Sequence, residues 1–304
     1  MTMSTSPRMA IVGTGAIGGY YGGRLAHASY PVHFFARSDV NPIRENGLRV
    51  DSPTGNFTLN PVSVSALDAE CEPFDWVIVA VKTTANAAIA PKLAPLLHAH
   101  SRIIVIQNGF DVEKIFADHY PQQPIIGALA FICATKRGPG WIDHQDYGAL
   151  KLGIYRNLSP VDLQATADVF QQTDLQCQTV TDLRRTRWEK LVWNIPFAGL
   201  CIVHDCLTQG LLKHPERRQH LRALMLEVIH TAQADGCAID ESLADTMLTN
   251  TDNMVDYTPS TLLDVRAGNP FERETMFEAP YAIATKYGIN TPHWSQLLSH
   301  LKTI

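Results

Sequence analysis

The feature that most constrains the fold is the hexapeptide Gly13-Thr14-Gly15-Ala16-Ile17-Gly18, which follows the apolar run Met9–Val12 and opens the stretch 16–28. A strand, this turn, a helix and a second strand at 32–36, within about thirty residues, make the context that a dinucleotide-binding turn requires. The first glycine permits the tight turn, the second lets the backbone approach a pyrophosphate, and the third lets the helix pack closely on the sheet. The unpaired N–H groups at the helix start face the anion. Glycine-rich turns also close ordinary strands, so the order of the elements carries the reading.

The end of the second strand then selects between two ligands. A carboxylate there accepts from a ribose 2′-hydroxyl, whereas this chain reads His33-Phe-Phe-Ala-Arg37-Ser38. An arginine forms charge-assisted hydrogen bonds with a 2′-phosphate, which favours NADP(H) over NAD(H). The competing reading is a solvated loop arginine, with Asp39 as its surface partner.

Upstream of residue 181 short apolar strands alternate with helical stretches, the pattern of a parallel sheet with crossover helices. Continuous apolar runs at 76–81 and 103–106 read as strands buried on both faces, bracketing a helix near 84–97. Segment 48–64 has near period-two spacing and reads as a hairpin-like excursion. Further strands are expected at 125–134, 148–154 and 175–180, with a helix after Pro160. Beyond Asp182 apolar residues recur at helical spacing through 183–203, 220–235 and 262–287, so the second domain reads as all helical. The expectation is an α/β chain with a Rossmann-type NADP-binding domain over 1–181 and a helical substrate and catalytic domain over 182–304.

Composition excludes several other functions. With 25 Lys+Arg against 30 Asp+Glu the net charge is −5, without the basic footprint of a nucleic-acid binder, so a small molecule is the default partner. Six cysteines without C-x-x-C spacing fit reduced thiols in a cytoplasm. The polar start carries no signal-peptide run, and no stretch reaches the roughly 18 apolar residues of a membrane span. The twelve histidines show no metal-ligand spacing, so no metal is expected. A homodimer is the assembly expected, although the sequence does not fix the oligomeric state.

A second group of polar residues stands where cofactor and substrate could meet. Lys82 follows one buried strand and Gln107-Asn108-Gly109 another, at the carboxyl ends where open α/β sheets bind ligands. In Trp188-Glu-Lys190-Leu-Val-Trp193-Asn194, Lys190 and Asn194 lie four apart on one helix face. Pro196 cannot donate to the carbonyl of Val192, so a kink is expected there. Trp188 and Trp193 read as core. Taken singly, Lys82 is a snorkelling lysine, Asn108-Gly109 a turn, and Lys190 a solvated helix residue.

Taken together, these residues resemble the ketopantoate reductase (2-dehydropantoate 2-reductase) family. The resemblance covers nearly the whole chain: GTGAIG, VKT around Lys82, QNG around Asn108, WEKLVWN around Lys190, PSTLLDVRAGNPFE from Pro259 to Glu272, and YGINTP near the end. It implies an NADPH-binding domain joined to a helical domain, with reduction of the 2-oxo group of ketopantoate, a step of pantothenate biosynthesis, in the cleft between them. Carried over by position, Lys190 resembles the family's catalytic lysine and Glu272 the acid paired with it. Asn108 resembles the nicotinamide-side asparagine, which also meets substrate, and Arg37 the 2′-phosphate arginine. Gly13, Gly15, Ala16, Ile17, Gly18 and Lys82 complete the cofactor set, while Asn194 and Ser260 resemble substrate binders. Ser260 follows Pro259, so it also reads as a helix N-cap.

Two positions depart from the pattern. Ala198 stands where many members carry a second asparagine, one turn beyond Asn194. Tyr257 stands where some carry a substrate-binding asparagine. Both remove hydrogen-bonding capacity, which keeps open an NADPH-dependent reductase of a different 2-oxo acid. A non-catalytic dinucleotide sensor is the other alternative, and it would not need Lys190, Asn194, Ser260 and Glu272.

Overall fold

The computed structural model describes residues 6–304; the first five residues of the expected nucleotide-binding domain lie outside them. The chain divides into two compact units. One runs to Gln107 and resumes over Val112–Leu183, and the other comprises Asn108–Asp111 and Arg184–Ile304.

The first unit is built on a ten-stranded sheet. In chain order its elements are β1 (Met9–Val12), α1 (Ala16–His27), β2 (Val32–Phe35), α2 (Val40–Asn46), β3 (Leu48–Asp51), β4 (Phe57–Leu59), β5 (Val64–Ser65) and β6 (Phe74–Val79). They continue with α3 (Asn86–Ile89), β7 (Leu97–Ile106), α4 (Lys114–His119), β8 (Ile125–Gly138), β9 (Trp141–Arg156), α5 (Pro160–Gln171) and β10 (Cys177–Val180). Strand order is β4-β3-β9-β8-β7-β6-β1-β2-β5, with β10 also paired to β9. β1 pairs in parallel with β2 on one side and β6 on the other, so the order reverses at β1. Open α/β sheets bind ligands at the carboxyl ends of strands at such a reversal, and the glycine turn follows β1 there.

Several local expectations are corrected. The sheet is mixed: β8 and β9 form a long antiparallel pair from Ile125↔Arg156 to Gly138↔Trp141. β3 and β4 are antiparallel as a hairpin should be, but β3 also pairs with β9 and β5 with β2, so the excursion at 48–64 joins the main sheet. The helix expected over 84–97 is broken, with one α-helical turn at Asn86–Ile89 flanked by 3₁₀ turns at Thr83–Ala85 and Ala90–Leu96. Pro91 and Pro95 lack the N–H that a continuous helix needs. β7 then starts at Leu97, so His98 and His100 are strand residues.

In the second unit the elements are α6 (Leu183–His204, its first residue belonging to the sheet unit), α7 (Thr208–Leu212), α8 (Pro215–Ala234), α9 (Ser242–Asp252), α10 (Ser260–Arg266), α11 (Ala279–Tyr287) and α12 (Pro292–Leu301). A π-helical turn, Glu274–Glu278, precedes α11. The stretch of helical spacing over 262–287 comprises α10, a loop, the π turn and α11. α6 runs through Pro196. Leu191, Val192, Ile195, Phe197, Leu200 and Cys201 all lie in the buried cluster of this unit. A helix apolar on every side is a core helix, and the polar groups it carries need a partner or a task.

Trp188 is fully buried and donates Nε1–H to Asp235, while half-buried Trp193 donates to Thr251. Among the described residues no helix is long and apolar enough to cross a membrane, and no group of three or more His, Cys, Asp or Glu residues could hold a metal.

Candidate active site

At the end of β1 the backbone enters the left-handed region at Gly13 (φ +101°), where a side chain would stand 2.7 Å from Val81 Cγ1. A Cβ on Gly18 would stand 2.0 Å from the Gly13 carbonyl oxygen, so α1 lies against the turn as only glycine allows. Gly15 differs: no atom lies within 4 Å of its Cβ position. It is also the N-cap of α1, with no side chain to satisfy the first N–H groups, and the first turn holds no acidic residue. Ala16 and Ile17, the first helical residues, offer backbone N–H groups only. Open space over uncapped donors fits a pyrophosphate in size and charge.

Arg37, two residues beyond β2, is exposed and has no hydrogen bond or ion pair among the described residues. Asp39 is not its partner. That carboxylate is 4% exposed and is held by Lys136 Nζ at 2.5 Å, Ser38 Oγ at 2.8 Å and the Gly140 N–H at 3.4 Å. Burial pushes the Asp39 carboxyl up, but Lys136 and Ser38 outweigh it and hold it below the usual carboxylate range. Asp39 thus leaves the Arg37 guanidinium unengaged. Lys82 is exposed at the N-cap of the 3₁₀ turn after β6.

The same strand ends hold a buried amide pair. Gln107 donates to the Val81 carbonyl at 2.6 Å and to Asn86 Oδ1 at 2.7 Å, and Asn86 returns a bond at 3.0 Å. One residue later the chain belongs to the helical unit.

There the candidate catalytic group is assembled. Lys190 on α6 is half-buried and donates Nζ–H to Asn108 Oδ1 at 2.9 Å. Burial first, and then the Arg187 cation one turn earlier, lower its pKa from the ordinary lysine value to about 7 against the opposing Glu272 carboxylate. Glu272 is 8% exposed. Asn194, one turn beyond Lys190, is 9% exposed, and its side chain has no hydrogen bond among the described residues. Ala198, the next turn along, presents a methyl group and is 3% exposed. Ser260 is the exposed first residue of α10, and Pro259 rather than Ser260 occupies the N-cap. Tyr257 is half-buried, and its backbone exchanges hydrogen bonds with Thr208.

Sequence reasoning singled out neither Arg187 nor Thr275. Arg187, 4% exposed, donates to the Gly109 carbonyl at 3.2 Å. The Thr275 carbonyl, in the π turn, accepts from the Phe110 N–H at 2.8 Å. Spacing signalled the first, since Arg187 is three residues before Lys190 and so on its helix face. No local pattern signalled the second.

A chain that carries a Rossmann-type sheet with an uncapped glycine turn, and a helical unit with a lysine of lowered pKa, has the parts of a nicotinamide-dependent oxidoreductase. The comparisons with known proteins narrow this. The family profile described as ketopantoate reductase PanE/ApbA matches residues 9–157, and that of its C-terminal part matches 182–304. The chain belongs to the ketopantoate reductase family, whose cofactor is NADPH.

Among curated relatives, the 2-dehydropantoate 2-reductase of a Nostoc species is 38% identical over 300 residues, covering 97% of this chain and 94% of the relative. A crystal structure of 2-dehydropantoate 2-reductase from Geobacter metallireducens superposes with a TM-score of 0.94 at 38% identity, covering 97% of this chain and 99% of the other. The corresponding structure from Methylococcus capsulatus gives 0.88 at 30% identity, covering 97% and 96%.

Proposed function

We propose that this protein reduces the 2-oxo group of ketopantoate to the hydroxyl of pantoate with NADPH. One observation carries the reading: the Lys190 ammonium, shifted to about 7, is held on Asn108 and influenced by Glu272. The bound dihydronicotinamide supplies a hydride to the carbonyl carbon. Negative charge then builds on the carbonyl oxygen, and a positioned acid lowers that barrier. Lys190 Nζ–H donates the proton to that oxygen, leaving a neutral amine that solvent reprotonates. An acid with a pKa near 7 gives up its proton readily while remaining charged in much of the population. Glu272 keeps the ammonium form from being lost to burial. Asn108 orients the lysine, and Asn194 and Ser260 offer polar groups to the substrate.

Gly13, Gly15, Ala16, Ile17 and Gly18 would hold the pyrophosphate, Arg37 the 2′-phosphate, and Lys82 and Asn108 the cofactor's inner end. Residues 1–181 thus serve NADP binding and 182–304 catalysis, with Asn108 as the exception that the first stretch lends to the second. The cytoplasm is the proposed location, which six free cysteines support. The homodimer is checked by light scattering.

A second reading, reduction of a bulkier or unhydroxylated 2-oxo acid, is favoured by Ala198. The test is loss of NADPH absorbance with a panel of 2-oxo acids. Highest kcat/KM on ketopantoate supports the proposal, preference for another acid supports the second reading, and no turnover with any, despite tight NADPH binding, leaves a sensor.

A further inference from the structure

The residues that hold Asn108 against Lys190 belong to neither the cofactor nor the substrate set. Asn108 is followed by Gly109, whose φ of +111° lies in the left-handed region. A side chain at Gly109 would stand 2.8 Å from Thr275 Cβ and Oγ1, so the segment is seated tightly on the π turn. Phe110 is fastened there by its N–H to the Thr275 carbonyl, and its ring packs 4.7 Å from that of Trp188. The remaining peptide group, the Gly109 carbonyl, is held by Arg187 Nη1 at 3.2 Å. Arg187 and Lys190 are one turn apart on α6, so a single helix face grips both the backbone of Gly109 and the side chain of Asn108. Two cations at this spacing repel, and helices usually avoid them in buried places. Arg187 is nevertheless 4% exposed.

We infer that Arg187 is a positioning residue for the reduction: it anchors the Gly109 carbonyl so that Asn108 holds the Lys190 ammonium. The inference rests on the reading of Lys190 as the proton donor. Arginine suits the task, because its planar fork reaches a carbonyl in fixed geometry and its charge is never lost. The charged groups acting on Lys190 are Arg187 on its own helix and Glu272 from the segment after α10; Arg187 favours release of the proton and Glu272 retention.

Two substitutions separate the anchoring from the charge. Arg187→Gln keeps a donor and removes the charge; Arg187→Lys keeps the charge and removes the fork. The rate falls with rising pH as Lys190 loses its proton, and removing the neighbouring cation should move this falling limb upward by about one pH unit in Arg187→Gln. Arg187→Lys should leave the limb in place and lower kcat by about tenfold to a hundredfold, with KM for NADPH unchanged, as expected when a reacting group is displaced slightly. The same upward shift should be read without turnover, from NMR titration of the Lys190 side chain in cofactor-free protein, assigned by its absence in Lys190→Ala. A merely structural arginine would lower stability in both variants and move neither pKa. The inference is overturned if both variants keep the wild-type limb and kcat while Lys190→Ala is inactive. Near wild-type turnover in Lys190→Ala would instead overturn the reading of Lys190 itself.

Discussion

The turn at Gly13–Gly18 and the cluster around Lys190 are the two regions on which the proposed function rests, and they are encoded in opposite ways. The turn is contiguous: three glycines within six residues, two of them answering to an atom nearby, such as the Gly13 carbonyl against Gly18, and Gly15 facing open space. The cluster is drawn from distant stretches, and its central bond joins residues 82 apart in sequence. A contiguous backbone site tolerates changes around it, since its donors are N–H groups common to every residue. A cluster of side chains fails when one member leaves. Substitutions within the cluster should therefore act on turnover, and those near the turn on cofactor binding.

The largest expected effect tests that division directly. Lys190→Ala should lower kcat by about 10²–10⁴-fold, the usual contribution of a positioned general acid, while NADPH binds as before. Comparable loss of NADPH affinity in a binding titration would break the comparison, because the lysine would then serve the cofactor rather than the chemistry.

On the other side stands Arg37. It is exposed and unpaired among the described residues, and charge-assisted hydrogen bonds are worth about 1.5–3 kcal/mol each. Arg37→Ala should weaken NADPH by about tenfold to a hundredfold and leave NADH and kcat nearly unchanged. Equal weakening of both cofactors would show that Arg37 does not read the 2′-phosphate.

The contrast also sets how much was legible beforehand. The turn, β1, β2 and the change to helix beyond the last strand followed from periodicity and glycine spacing. Lys190 and Asn194 were visible as one helix face. The antiparallel β8–β9 pair was not, because an apolar run carries no sign of strand direction. Nor was the Asp39–Lys136 bond, which frees Arg37: its partners are far apart in sequence, and neither has a local pattern naming the other. The bonds from Arg187 and Thr275 to Gly109 and Phe110 depend in the same way on tertiary packing. Local chemistry names a candidate residue, and only the folded chain says what holds it.

A smaller effect is expected from Glu272→Gln. Its carboxylate raises the Lys190 pKa against burial and Arg187, so neutralising it should lower that pKa below about 7. In the proposed mechanism the protonated lysine is the active form, and less of it then remains at neutral pH. The falling limb of the kcat profile should therefore move to lower pH, with about tenfold loss at pH 7 that recovers as the medium is acidified. A uniform loss at every pH would place Glu272 on the substrate instead.

The smallest effect concerns the substrate and sharpens the comparison inside the cluster. Asn194, at 9% exposure, keeps an amide unpartnered among the described residues, and Ala198, one turn on, presents only a methyl group at 3%. A pocket that hydrogen-bonds a substrate hydroxyl rejects analogues lacking it by large factors, whereas an apolar wall discriminates by about 1–3 kcal/mol per methylene. Wild type should therefore favour ketopantoate over 2-oxoisovalerate only modestly. Ala198→Asn should raise the ratio of their kcat/KM values by about threefold to tenfold, provided the added amide finds the hydroxyl, since a neutral hydrogen bond nets about 0.5–1.5 kcal/mol. Ala198 also belongs to the apolar cluster of the helical unit, so thermal melts of the variant must accompany the kinetics. A lowered melting temperature with an unchanged ratio would make Ala198 a packing residue. A wild-type preference already near 10⁴-fold would assign the hydroxyl contact to another side chain.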